Sequence, residues 1–167
     1  MKQHSTTVYL LFAFSVFLFL YAGCDDSTGP RFVEPDYSTV PEMADTSNAE
    51  KVELDDGLTY YVIEEGGGQA KVVSRDAITM YVTLRRSNGE VLSSTYANSR
   101  TTPQSETVDR YTDAKGFKLG VLGMKEGEHR IIVIPPSLGF TGTTNAEVRN
   151  DTITYEVELV RILDQNS

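Results

Sequence analysis

Alternating apolar and polar positions predict β-strands over most of the second half of the chain. The clearest pattern runs from Ile153 to Leu159, where every second residue is apolar and the residues between are polar. The segment from His129 to Ile134 is mainly apolar and is followed by two prolines, so we predict a buried strand that ends there. Further strands are predicted at about residues 58–63 and at 77–86 and 90–94, the last two joined by a hairpin turn at Asn88-Gly89.

One short helix is predicted between these strands. Phe117 and Val121 recur at helical spacing, which favours a helix at about residues 114–123 with Asp113 available as its cap. The polar residues 95–112 before it are predicted to form a long loop with at most a short strand. Four or five antiparallel strands with one short helix packed on a face predict an α+β domain.

The chain begins with an apolar segment that changes abruptly to polar sequence. Residues 8–22 carry no charge, but they are too few for a membrane-spanning helix, which needs roughly 20 apolar residues. Lys2 precedes this segment, and the small residues Ala22 and Gly23 lie directly before Cys24. This arrangement predicts a secretory signal peptide over residues 1–23.

The sequence LYAGC at residues 20–24 resembles the bacterial lipobox, in which a signal peptidase cuts before a cysteine that carries diacylglycerol. Lipoboxes usually have Leu three positions before the cysteine, and Tyr21 stands there in this chain. The resemblance implies that Cys24 is lipidated and holds the protein to the periplasmic or cell-surface side of a membrane in the bacterial cell envelope. The alternative is an uncleaved membrane helix with an incidental cysteine.

The segment after Cys24 is predicted to be a tether. Residues 24–54 are rich in Asp, Glu, Ser, Thr and Pro and show no sustained apolar periodicity, which is typical of a flexible lipid-anchored spacer. Residues 32–37 are a candidate edge strand within it. The predicted folded domain then spans residues 55–167.

Composition excludes several classes of function. The net charge of -9 disfavours nucleic acid as a partner, because the field of the protein would repel phosphate. The single cysteine excludes an internal disulfide and a cysteine-rich metal site, and we expect neither a metal nor a cofactor. The three glycines at 66–68 are not followed by a Lys-Ser or Lys-Thr pair, as a phosphate-binding loop would require.

Five segments together resemble the FKBP family of peptidyl-prolyl cis-trans isomerases. They are GLTYYVI at 57–63, SNGEVLSS at 87–94, GFKLGVLGMKEGE at 116–128, IVIPPSLGF at 132–140 and TITYEVELVRI at 152–162. Their order and spacing carry the resemblance, since no single segment is specific. It implies an antiparallel sheet curled around one short helix, with an apolar pocket between helix and sheet that receives a proline of a peptide.

Such a reaction needs apolar walls and a few hydrogen-bond donors. The task is to lower a rotational barrier of ~18–20 kcal/mol in the amide bond itself. The planar amide is more charge-separated than the twisted one, so a dry pocket disfavours the ground state relative to the transition state. Hydrogen bonds then hold the twisted form, and no nucleophile, metal or general acid is required.

The resemblance assigns the helix side of this pocket to three residues. Phe117 stands at the floor, where family members often carry Trp, and Ala114 supplies a backbone N–H to the bound peptide. Phe140 stands where the family has a tyrosine whose hydroxyl bonds the substrate. Phenylalanine cannot make that bond, which is worth about 0.5–1.5 kcal/mol, so binding is expected to weaken.

On the sheet side the resemblance assigns four more positions. Val82 replaces a tyrosine at the pocket rim, unless the register slips by one residue. Leu92 and Ser93 replace a Phe-Asp pair, which removes the carboxylate that many active members carry. Tyr155 keeps an aromatic side chain facing the pocket. The apolar frame is retained while most of the polar groups of the pocket are lost.

Two functions follow as hypotheses. The first is a peptidyl-prolyl isomerase or folding factor that acts on proline-containing segments of exported proteins, with weakened activity. The second is a non-catalytic FKBP-like subunit that binds a partner in a complex of the cell envelope. The pocket positions do not decide between them, because they are also the places where any sheet of this kind puts core side chains.

Overall fold

The computed structural model describes residues 33–111 and 113–163, and the part from Pro35 onward is described below. The predicted signal peptide at 1–23 and Cys24 lie outside the described residues. Within the described part, seven strands form one sheet in which every pairing is antiparallel. They are β1 (Glu50–Glu53), β2 (Thr59–Glu64), β3 (Ala77–Arg86), β4 (Val91–Ser94), β5 (Gln104–Thr107), β6 (His129–Ile134) and β7 (Ile153–Leu163).

The two longest strands form the middle of the sheet. The strand order is β1-β2-β6-β7-β3-β4, and β5 also pairs with β3 beyond the end of β4. The last strand in the chain, β7, thus lies between β6 and β3. It pairs with β3 along its whole length, from Ala77 opposite Leu163 to Arg86 opposite Ile153.

Period-two alternation in β3 and β7 buries one face of the sheet. The apolar side chains on this inner face are Ile78, Met80, Val82 and Leu84 from β3 and Ile153, Tyr155, Val157 and Leu159 from β7, all of them buried. Helix α1 (Lys115–Val121) adds Phe117 and Val121 to the same core. The predicted α+β fold, an antiparallel sheet curled around a short helix, is confirmed. A second helix of one turn, α2 (Ala146–Arg149), precedes β7.

Two glycines let α1 lie very close to β6. A Cβ added at Gly116 would clash with Cγ2 of Ile134, and one added at Gly120 would clash with Cγ2 of Ile132. Each glycine is buried on the helix face that meets the sheet. The helix axis can therefore approach the strand more closely than any other residue type at these positions would permit.

The helix begins one residue later than predicted and is capped differently. Its N-cap is Ala114, which has extended backbone (φ -138°, ψ 117°) and makes no side-chain capping bond. The prediction of Asp113 as the cap is therefore wrong. The helix covers Lys115–Val121 within the predicted 114–123.

The sheet contains more strands than the four or five predicted. Strand β5 lies inside residues 95–112, where only a loop with at most a short strand was predicted. Strand β1 lies inside residues 24–54, where the sequence predicts a tether, and it pairs with β2 from Glu50 opposite Val62. The ordered domain therefore begins before residue 55. Strand β1 (EKVE) has one apolar residue and β5 (QSET) has none, so no alternation marks either of them.

The segment at 36–44, called here the strap, is also held on the domain by hydrogen bonds. The backbone N–H of Asp36 donates to Oδ1 of Asn98 at 2.9 Å, and the N–H of Asn98 donates back to the Asp36 carbonyl at 2.8 Å. The Thr39 hydroxyl donates to the Tyr96 carbonyl and accepts from the Ser99 N–H. Residues 33–37, part of the candidate edge strand at 32–37, are not in a strand.

The far end of the strap meets a carboxylate on the outer face of the sheet. Glu156 of β7 accepts from the Ala44 N–H at 3.0 Å and from the Arg85 guanidinium at 2.8 Å. His129 of β6 lies 3.2 Å from the same carboxylate, and Arg85 also donates to the Pro41 carbonyl. The outer face thus joins three strands and the strap through one half-buried ionic cluster.

The close helix contact predicts that Gly120→Ala destabilises the protein. Overpacking a core costs about 1–3 kcal/mol, and Cγ2 of Ile132 cannot move aside without turning the whole β-branched side chain. Alanine favours helix over glycine by about 1 kcal/mol, which offsets part of this cost. We expect a net loss of about 1–2 kcal/mol in urea unfolding. Gly67→Ala is the control, since a Cβ there meets nothing within 4 Å; equal effects of the two substitutions would refute the close packing.

The pairing of His129 with Glu156 predicts a pH-dependent stability. The hydrogen bond to Glu156 raises the pKa of His129 above its usual value of 6.5. The stabilisation is fully present below the unfolded pKa, about 6.5, and is lost as pH rises through the higher folded pKa. Melting curves should therefore show stability falling above pH about 6.5 in the wild type. His129→Gln should flatten this part of the profile, and an unchanged slope in that variant would contradict the assignment.

Candidate functional site

Three aromatic residues meet between α1 and the inner face of the sheet. The ring centroid of Phe117 lies 4.5 Å from that of Tyr111 and 4.9 Å from that of Tyr155. Tyr111 and Tyr155 stand edge to face, 6.5 Å apart, and their hydroxyl oxygens are 2.8 Å apart. The structure therefore brings together two predicted site residues, Phe117 and Tyr155, and adds one that was not predicted.

Tyr111 is the residue that the sequence interpretation missed. It directly follows a single 3-10 turn at Val108–Arg110 and lies four positions before Lys115, the first residue of α1. Its segment looks like a polar loop, so periodicity gives no reason to place it at a site. The available signal was the spacing of Val108 and Tyr111, two apolar residues three positions apart in that loop, both of which pack on the core.

Burial shows how the three rings are layered. The side chain of Phe117 is 0% exposed and that of Tyr155 is 3% exposed, whereas Tyr111 is half-buried. Tyr111 is therefore the most exposed ring of the cluster. It packs against Phe117, the residue that the resemblance assigns to the pocket floor.

Both hydroxyls of the aromatic cluster stay protonated at physiological pH. Burial raises the pKa of Tyr155 far above its usual value, with the neighbouring Tyr111 contributing next. Burial also raises the pKa of Tyr111. Each hydroxyl is therefore a neutral group that can donate one hydrogen bond and accept others.

The other predicted residues on the helix side lie around this cluster. Ala114 is fully buried at the start of α1 and belongs to the same core. Phe140 is half-buried against that core and lines a surface cleft of ≈ 310 Å³ together with Asp113, Gly142 and Thr143. Phe140 is the one apolar side chain among these four residues, so the cleft is partly polar.

The sheet-side predictions divide into two groups. Val82 is buried in the core and Leu92 packs against it, so both lie on the inner face. The preceding residue, Tyr81, points to the outer face, where its ring stacks on Tyr96 and its hydroxyl donates to the Thr101 carbonyl. Val82 is therefore the pocket-side residue, and no one-residue slip brings Tyr81 there. Ser93 is exposed and is not part of the apolar cluster.

The strap supports the strand that carries Leu92. The Tyr37 hydroxyl donates to the Leu92 carbonyl at 2.9 Å. This bond anchors the middle of β4 to a segment distant in sequence. The wall of the site on this side thus depends partly on residues that precede the predicted domain boundary.

Within residues 33–111 and 113–163, no three His, Cys, Asp or Glu side chains are grouped closely enough to hold a metal ion. Over the same residues, no helix combines the length and the apolar character needed to cross a membrane. The aromatic cluster itself offers apolar contacts and two neutral hydroxyl groups.

Comparison with known proteins identifies the class to which this fold and site belong. The family model of FKBP-type peptidyl-prolyl cis-trans isomerases matches residues 68–160. The chain belongs to this family.

Individual relatives agree with the family match. The chain is 32% identical over 119 residues to the peptidyl-prolyl cis-trans isomerase Mip of Chlamydia pneumoniae, a match that covers 70% of this chain and 43% of that protein. It is 31% identical over 109 residues to FK506-binding protein 1A of Neurospora crassa, covering 64% of this chain and 89% of that protein. The crystal structure of FkpA from Escherichia coli superposes with a TM-score of 0.59 at 26% identity, covering 68% of this chain and 51% of that one. The chain thus spans less than half the length of the Mip relative.

Proposed function

We propose that this protein is a peptidyl-prolyl cis-trans isomerase of low activity that acts on exported proteins while lipid-anchored in the bacterial cell envelope. The observation that carries the activity is the aromatic floor at Phe117, held between α1 and the inner face of the sheet in a chain of the FKBP-type family. Apolar walls from Val82 and Leu92 flank it. No charged side chain is needed for the reaction.

The mechanism follows from the polarity of the site. A prolyl ring placed on Phe117 would put its amide bond among apolar side chains, where the charge-separated planar form is less well solvated than in water. Rotation towards the twisted form is then easier. The backbone N–H of Ala114, at the start of α1, is the proposed donor to the bound peptide.

Low activity follows from the polar groups that are missing. Phe140 lies at the opening of the site and offers no hydroxyl, and Ser93 is exposed and offers no carboxylate. Each absent hydrogen bond to the twisted amide would raise the barrier by about 0.5–1.5 kcal/mol.

The anchor and the location rest on the N-terminal sequence. The LYAGC sequence at residues 20–24 supports lipidation of Cys24, and the apolar residues 8–22 support export. Proline-containing segments of other exported proteins would then be the substrates within reach.

A second candidate function is a non-catalytic binding subunit of a cell-envelope complex. The full burial of Phe117 favours it, since a prolyl ring cannot contact a floor that is 0% exposed unless another side chain moves. In that case the retained apolar frame serves stability, and the partner binds elsewhere on the domain.

A refolding assay separates the two functions. The full chain in detergent solution is added to a protein whose refolding is limited by proline isomerisation, and acceleration over buffer is measured. Phe140→Tyr restores the family hydroxyl at a half-buried position and should increase the acceleration roughly two- to tenfold, corresponding to about 0.5–1.5 kcal/mol. The control is Leu119→Ala, an exposed change on α1, which should have no effect. If wild type and Phe140→Tyr are both inactive, the isomerase proposal fails and the binding subunit replaces it.

Metabolic labelling tests the anchor. Bacteria expressing the chain are grown with radioactive palmitate, and the purified protein should carry label in the wild type and none in Cys24→Ala. Loss of label should be accompanied by loss of the protein from the membrane fraction. An unlabelled wild type would rule out the lipid anchor.

A further inference from the structure

Tyr111 is the most exposed of the clustered rings that pack against Phe117. The two rings are 4.5 Å apart between centroids, Phe117 is 0% exposed, and Tyr111 alone of the three clustered rings is only half-buried. A prolyl ring and the Tyr111 ring would therefore compete for the same face of Phe117. Binding at this floor requires Tyr111 to leave.

Tyr111 is attached in a way that permits such an exchange. It lies in the connection between a 3-10 turn and α1, whereas Phe117 and Tyr155 are held within α1 and β7. Its side chain makes one hydrogen bond in the structure, to the Tyr155 hydroxyl at 2.8 Å. Rotation of its side chain breaks that bond and opens the floor without moving the helix or the sheet.

If Tyr111 moves away, the Tyr155 hydroxyl loses its hydrogen-bond partner. Tyr155 is 3% exposed, so water does not easily replace the lost bond, and a buried hydroxyl without a partner is unfavourable. A carbonyl oxygen of the bound prolyl peptide would meet this need. The Tyr155 hydroxyl on β7 would then donate a hydrogen bond to the peptide, which Phe140 cannot do.

From these contacts we infer that Tyr111 determines the specificity of the site by covering Phe117, and that Tyr155 is the hydroxyl donor to a prolyl peptide that displaces it. This inference rests on the proposed isomerase function. Ligands that provide only an apolar ring would leave Tyr155 unpaired, so the site selects peptides that offer both a prolyl ring and a carbonyl acceptor.

Removing one hydroxyl at a time tests both roles. In Tyr111→Phe the Tyr155 hydroxyl has no partner in the free protein but gains the peptide carbonyl as a partner in the complex. Binding is therefore more favourable, and kcat/KM for the peptide Ala-Leu-Pro-Phe should rise about fivefold. Tyr155→Phe removes the donor from the bound state, so kcat/KM should fall about fivefold. A hydrogen bond with a purely structural role would change activity in the same direction whichever partner is removed.

Tyr81→Phe is the matched control, because its hydroxyl bonds the Thr101 carbonyl on the outer face and it should leave kcat/KM unchanged. All variants are assayed as full chains in detergent solution, with melting curves to confirm folding. If the wild type is active and the two substitutions change kcat/KM in the same direction or not at all, the inference is wrong while the isomerase function stands.

An inactive wild type would instead overturn the isomerase function, and binding then decides the role of Tyr111. Fluorescence anisotropy with fluorescein-labelled Ala-Leu-Pro-Phe should show tighter binding by Tyr111→Ala than by the wild type, because the floor is open in that variant. Equal or weaker binding by Tyr111→Ala would refute the covering role as well.

Discussion

The close contact between α1 and β6 is the constraint on which the site depends. Gly116 and Gly120 face Ile134 and Ile132 so closely that neither glycine has room for a Cβ. Phe117 follows the first of these glycines, so the same contact that seats the helix also presses this ring onto the sheet. A helix only slightly farther away would leave a gap under Phe117 and would move Ala114, the N-cap of α1. The position of Phe117 in the aromatic cluster thus depends on two residues without side chains.

The two faces of the sheet are stabilised by different kinds of interaction. The inner face buries apolar side chains, whose contribution scales with the area removed from water. The outer face carries Glu156, which binds Arg85, His129 and the strap in one half-buried cluster. Because the strap also bonds the β4 backbone at Leu92, the outer cluster and the inner site are connected through a segment that precedes the predicted domain boundary.

Two tyrosine hydroxyls are bonded to each other inside the aromatic cluster. They belong to Tyr111 and Tyr155, whose rings both pack against Phe117. A pair of neutral hydroxyls satisfied by each other is stable in an apolar setting, where an ionised group would be costly. The free protein therefore has a hydrogen-bonded hydroxyl pair beside a fully buried Phe117.

Local sequence patterns were enough to predict the fold class and the apolar residues that surround Phe117. Strands β2, β3, β4, β6 and β7 and helix α1 were predicted because alternation and helical spacing are local patterns that burial enforces along each element. Phe117, Val82, Leu92 and Tyr155 were placed on the core by the same patterns and by the resemblance to the family. The tertiary structure was needed to show that β1 and the strap belong to the domain and that β5 joins the sheet, because short polar segments are held by partners distant in sequence, such as Asn98 for Asp36. Tyr111 is the sharpest case: only its spacing from Val108 distinguishes it from the polar residues around it, and its contact with Phe117 arises from tertiary packing that no local pattern encodes.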